Sequence, residues 1–95
     1  MREQSAKQVQ STSGFSNKPR YTPHQGQVLA FIYYYTKIHK CPPAEADIAV
    51  YLGVSPPSAH QAIMTLQRQG LIARVPGQSR SVRVLLSRED LPDLK

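Results

Sequence analysis

Between Ser55 and Arg68 the chain sets side chains able to read a nucleic acid at helical intervals. Ala59, Ala62, Ile63 and Leu66 recur at i, i+3, i+4 and i+7 and predict one buried face. Subtracting them leaves Pro57, Ser58, His60, Gln61, Met64, Thr65 and Arg68 pointing outward. The Gln61 amide suits bidentate pairing with adenine N6 and N7. Ser58 and Thr65 can bond to bases or phosphates, and Thr65 can also pack on a thymine methyl. His60 can donate to a guanine acceptor or to a phosphate. Ser55, followed by Pro56, predicts a helix start whose free backbone N–H groups form a seat for phosphate. Taken alone, the same residues also describe an ordinary wet helix face.

Basic side chains surround this stretch. Arg68 ends it, Arg74 and Arg83 lie on two β-rich runs, and Gln78, Ser79 and Arg80 lie between those runs. Lys18 and Arg20 come before the first predicted helix. Any one of these reads equally well as a solvated surface charge. Together, with no acidic residue between Asp47 and Glu89, they form a candidate set of phosphate contacts. Arg80 is expected near the loop tip, where an arginine can enter a minor groove and read its width. Twelve Lys+Arg against six Asp+Glu give a net charge of +6 and direct attention to an anionic partner.

Other chemistries find little support. His24, His39, His60 and Cys41 are the soft ligands, and His39 and Cys41 have no further cysteine or nearby acid to complete a zinc site. One cysteine cannot form an internal disulfide. There is no nucleophile elbow, phosphate loop or carboxylate pair, so no enzyme, cofactor or small-molecule ligand is expected. The longest apolar run, Val28 to Tyr35, is far short of the roughly 20 residues of a membrane span. With no signal peptide at its start, the chain is expected to be cytoplasmic, of bacterial or phage type and associated with the nucleoid.

The elements that must carry these residues are well punctuated. Residues 1–20 are rich in Gln, Ser and charge, and read as a disordered basic arm. Residues 21–86 hold the foldable domain, and 87–95 a C-terminal tail. Thr22-Pro23-His24-Gln25 predicts a capping box with proline at the first helical position. The helix it opens runs to Lys40, with Val28, Ile32, Tyr35 and Thr36 on one stripe and Leu29, Phe31 and Ile38 widening it. Pro42-Pro43 then end it. A second helix fits Ala44 to Leu52, poorly capped by Ala44 and closed by Gly53. A third follows the tight turn Gly53-Val54-Ser55 and ends before Gly70. Residues 71–75 and 81–86 then read as a hairpin around five turn-type residues. The class is α+β, mainly α: a three-helix winged helix-turn-helix with a C-terminal two-stranded wing.

Thr22-Pro23, Pro42-Pro43, Asp47-Ile48-Ala49, Leu52-Gly53, Ser55-Pro56, Leu66, Gly70-Leu71-Ile72 and Ser79-Arg80, in that order, resemble the N-terminal DNA-binding domain of the LexA repressor family. The resemblance implies a winged helix that binds DNA, and it aligns Cys41 with a buried apolar position. Members also carry a self-cleaving Ser–Lys domain. Nine residues follow Leu86, so that activity is not expected of this chain. At base-facing positions where the family has Asn and acidic residues, this chain has Pro57, Ser58, His60 and Gln61, so the family's DNA site does not carry over.

The reading that follows is sequence-specific binding of double-stranded DNA by a small transcriptional regulator. The third helix would enter the major groove and the wing would lie on the backbone, with a homodimer a candidate assembly. One rival is a winged-helix module that binds protein. Tyr33-Tyr34-Tyr35 span about 200° of a helix, so they cannot all face one core. Tyr33 and Tyr34 are then candidate interface residues, or half-buried amphipathic side chains. Single-stranded nucleic acid is a weaker rival, because the aromatics sit on the first helix and not on an open stacking platform.

Overall fold

The Thr22 hydroxyl accepts the Gln25 N–H at 3.1 Å, and the Gln25 side chain accepts the Thr22 N–H at 3.0 Å. This reciprocal cap, with Pro23 behind it, starts helix α1, Pro23–His39. Lys40 ends it in the left-handed conformation, φ 65°, with its N–H on the Thr36 carbonyl. The computed structural model describes residues 21–94, so the expectations for the basic arm, Lys18 and Arg20 lie outside the described residues.

Helix α2, Glu45–Leu52, starts at Ala44, which offers no side-chain cap. Asp47 supplies the other half of the device, its Oδ2 accepting the Ala44 N–H at 2.9 Å. Gly53, φ 70°, closes the helix in a conformation that disfavours a β-carbon. Ser55 then caps helix α3, Pro56–Arg68, with Pro56 in the first turn. The helix-turn-helix thus follows from local capping chemistry.

Val28, Leu29 and Ile32 of α1, Ile48 of α2, and Ile63 and Leu66 of α3 form the core with Leu71, Ile72 and Val82. Phe31 and Tyr33 pack against it from α1. Ala62 is only half-buried, and Ile38, expected to widen the α1 stripe, is 72% exposed. Ile38 lies in the final turn of α1, beyond its buried residues, which run from Gly26 to Ile32.

The wing is antiparallel but short. Strands β1, Ile72–Ala73, and β2, Arg83–Val84, pair Ile72 with Val84 and Ala73 with Arg83. The Leu85 N–H reaches the Leu71 carbonyl at 3.0 Å beyond them. The longer runs expected at 71–75 and 81–86 are cut off by one side chain. The Ser81 hydroxyl accepts the Val75 N–H at 2.9 Å and lies 2.9 Å from the Gln78 carbonyl oxygen. It thereby takes the place of a ladder partner and closes the tip early.

The end of the domain differs from the expected boundary at Leu86. A 3-10 turn, Arg88–Asp90, folds the chain back onto α1 and inserts Leu91, 6% exposed, into the core. The Tyr21 hydroxyl donates to the Asp90 carbonyl, and Gln27 Nε2 donates to the Asp93 carbonyl at 3.0 Å. The segment read as a tail therefore belongs to the folded body.

Candidate nucleic-acid interface

Helix α3 exposes Pro57, Ser58 and Gln61 on its N-terminal half. The Ser55 hydroxyl accepts the Ser58 N–H at 3.4 Å and donates to the Ser58 hydroxyl at 3.1 Å, so both oxygens gather at the helix start. Among the described residues the Gln61 amide has no intramolecular partner, which leaves its donor and acceptor free. Thr65 is half-buried. Its hydroxyl donates to the Gln61 carbonyl at 2.9 Å and accepts from Arg68 Nη2 at 3.2 Å. Arg68 itself is exposed at the far end of the helix.

Four predicted residues have settings that sequence reasoning missed. His60 Nδ1 lies 3.1 Å from Glu45 Oε1 and 3.2 Å from Oε2, so the side chain leans on the first turn of α2. Arg74 turns onto α3, with Nε donating to Gln67 Oε1 at 3.1 Å and Nη2 to Met64 Sδ at 3.0 Å. Arg83 is exposed and lines a groove with Tyr33 and Lys37 of α1, not with α3. Arg80 departs furthest from a free loop-tip cation. Its Nη1 stands 3.2 Å from Asp47 Oδ2, 3.2 Å from the Tyr35 hydroxyl and 3.3 Å from the Pro42 carbonyl oxygen. Gln78 and Ser79 are exposed at the tip beside Gly77 at φ 78°, and Arg80, though paired, is exposed too.

The local electrostatics follow from these partners. The Asp47 carboxyl is held below its ordinary pKa, chiefly by the Ala44 N–H, with the Arg80 charge and the Tyr35 hydroxyl adding to it. Arg80 is pushed up in turn, first by Tyr35 and then by Asp47. Asp47 and Glu45 lie in the first turn of α2, where the helix dipole favours acids. Their opposite numbers, Arg80 and His60, lie 33 and 15 residues away along the chain. A cleft of about 250 Å³ opens between the wing and the start of α2, with Pro43 and Ile63 behind it and Arg74 and Glu45 along its sides.

The tyrosine run is engaged within the molecule. Tyr33 and Tyr34 meet edge to face at 5.1 Å, Lys37 Nζ sits 5.6 Å from the Tyr33 ring, and Arg88 lies 5.4 Å from the Tyr34 ring. Cys41 is half-buried and makes no disulfide. Among the described residues no group of three or more His, Cys, Asp or Glu could hold a metal ion, and no helix is long and apolar enough to cross a membrane.

A helix-turn-helix with an exposed polar face and a short wing is a geometry for duplex binding, and comparison with known proteins agrees. The family model described as the LexA DNA binding domain matches residues 19–81. The chain belongs to the LexA DNA-binding domain family. The LexA repressor of Pseudomonas aeruginosa strain PAO1 is 39% identical over 66 residues, covering 68% of this chain and 32% of the repressor. LexA repressor 1 of Pseudomonas putida has the same identity over the same length, covering 33% of that protein. The LexA repressor of Cupriavidus taiwanensis is 39% identical over 75 residues, covering 76% of this chain and 35% of the relative. The chain spans about a third of the length of the curated relatives it matches. As a LexA DNA-binding domain it is a DNA-binding winged helix, and the match ends at residue 81, before β2 and the buried Leu91.

Proposed function

We propose that this LexA-type domain binds double-stranded DNA sequence-specifically and acts as a transcriptional regulator in the bacterial or phage-infected cytoplasm. Helix α3 enters the major groove, and the wing lies along the backbone. The observation that carries this reading is the N-terminal half of α3. Pro57, Ser58 and Gln61 are exposed there, and among the described residues the Gln61 amide has no partner. His60 and Thr65 complete the base-facing set from either side of it. Ser55, Arg68, Gln78, Ser79 and Arg83 supply backbone contacts, with Lys18 and Arg20 approaching from the arm.

The chain acts by occupying DNA and not by chemistry, without a cofactor or small-molecule ligand. A single module of this size covers one half-site, so a homodimer on a two-fold site supplies the remaining affinity. The protein-binding alternative is not favoured by the LexA DNA-binding match, and Tyr33 and Tyr34 pack on each other and beside Lys37 and Arg88.

Selection from a random duplex pool tests the reading. The expected result is enrichment of one short motif, bound with a steep dependence on salt. Recovery of a pool as random as the input would overturn it.

A further inference from the structure

Arg80 and Lys40 are the non-glycine residues with positive φ among the described residues. Lys40 terminates a helix, a common place for that conformation. Arg80 has no such excuse: it sits in the wing at φ 55°, where a β-carbon is crowded and glycine is favoured. That backbone turn aims its guanidinium away from the tip and back at the body. There Nη1 reaches three acceptors from three segments: the Tyr35 hydroxyl near the end of α1, the Pro42 carbonyl in the link, and the Asp47 carboxylate in α2.

We infer that Arg80 is a positioning residue that latches the wing to the start of α2, leaving Gln78 and Ser79 to meet the DNA backbone. The wing needs such a tie. Its strands pair over two residues each, and the tip is closed by the Ser81 hydroxyl and one backbone bond, Gln78 N–H to the Val75 carbonyl. The receiving carboxylate is itself fixed, because the same Asp47 Oδ2 accepts the Ala44 N–H at 2.9 Å. An arginine so occupied by protein acceptors sets where the tip stands without spending its charge on a phosphate. The consequence for binding rests on the DNA-binding reading above, whereas the latch itself is a property of the free protein.

Amide hydrogen exchange on the free chain therefore comes first. Arg80→Ala should speed exchange at Gln78, whose N–H bonds to the Val75 carbonyl, by about fivefold, the upper range for a half-exposed ion pair. The core amides of α1 and α3 should keep their rates, showing that the fold persists. Tyr35→Phe should act in the same direction while leaving the bond from the Ala44 N–H to Asp47 Oδ2 in place. Arg80→Lys should not restore protection, since the shorter lysine side chain does not carry its nitrogen to the position Nη1 occupies among the three acceptors. On a duplex selected by the parent, Arg80→Ala should weaken binding a few-fold with an unchanged salt slope. Asp47→Asn added to it should weaken binding no further. Unchanged Gln78 exchange would sink the latch. So would a salt slope reduced by about one unit and restored by Arg80→Lys, the signature of a phosphate contact. If the parent selects no duplex, the DNA-binding reading fails and the exchange experiment still decides the latch.

Discussion

His60 Nδ1 lies 3.1 Å from Glu45 Oε1, so a side chain of α3 is held by the first turn of α2. Both partners are about half exposed, with side chains 45% and 44% accessible. The pair therefore orients the imidazole more than it stabilises the fold. It also places a carboxylate beside the face proposed to meet DNA.

Glu45→Gln should accordingly tighten binding to duplexes of any sequence by a few-fold, since one repulsive charge is removed. Preference at the base facing His60 should fall at the same time, because the ring loses its guide. Titrations on matched and single-substituted duplexes measure both effects. Equal or weaker affinity for all of them would contradict the assignment.

Gln61→Ala removes an exposed amide that has no partner among the described residues. Discrimination at one base position should drop by about 1–3 kcal/mol. Thermal stability should stay within about 0.5 kcal/mol of the parent, as the side chain is exposed. Competition binding with a panel of duplexes varied one position at a time reads the first, and a melting curve the second.

Leu91→Ala should destabilise the domain by about 2–4 kcal/mol, the usual range for a buried leucine. Urea unfolding followed by circular dichroism measures it. A change under about 0.5 kcal/mol would mean that the segment after Leu86 is the tail the sequence suggests.

Gly26→Ala makes an unusual prediction for a helix interior. The substitution ordinarily gains about 1 kcal/mol. Here the new β-carbon would stand 2.8 Å from Tyr21 Cε1 and 3.1 Å from Pro92 Cγ. The tyrosine ring cannot swing aside freely, because its hydroxyl is bonded to the Asp90 carbonyl. A net loss of about 1 kcal/mol or more is expected, with a lower melting temperature. In a Tyr21→Ala background the loss should shrink.

Asp47 gives the pH dependence. Its pKa is depressed in the folded state, so its contribution to stability is complete above the ordinary aspartate value. That contribution is lost as pH falls through the depressed value. Asp47→Asn should thus cost most near neutrality, and the parent and variant should converge in strong acid. Unfolding curves between pH 2 and 7 test this. A gap that stays constant across the range would separate the effect from the carboxylate's charge.

Much of the helical framework was legible from the chain itself. The Thr22-Pro23-Gln25 cap, the Pro42-Pro43 stop, Gly53 and the Ser55-Pro56 start each act over a few residues, and each element begins or ends where those signals lie. The outward face of α3 was readable in part from the helical period: Pro57, Ser58, Gln61 and Arg68 are exposed, whereas His60, Met64 and Thr65 are half-buried. The wing was harder. Its β-rich runs announced a hairpin but not that the Ser81 hydroxyl would end the pairing after two residues.

What sequence alone determined, then, was the order of elements and the chemistry offered by α3, since caps and periodicity are local forces. Tertiary structure decided where the long side chains point and which distant segments join the core. Arg80 meets Tyr35 across 45 residues of chain, Tyr21 meets Asp90 across 69, and Leu91 finds the core from beyond the wing. An arginine side chain has many rotamers and no local preference strong enough to choose among them. The acceptors that chain folding brings within reach make that choice.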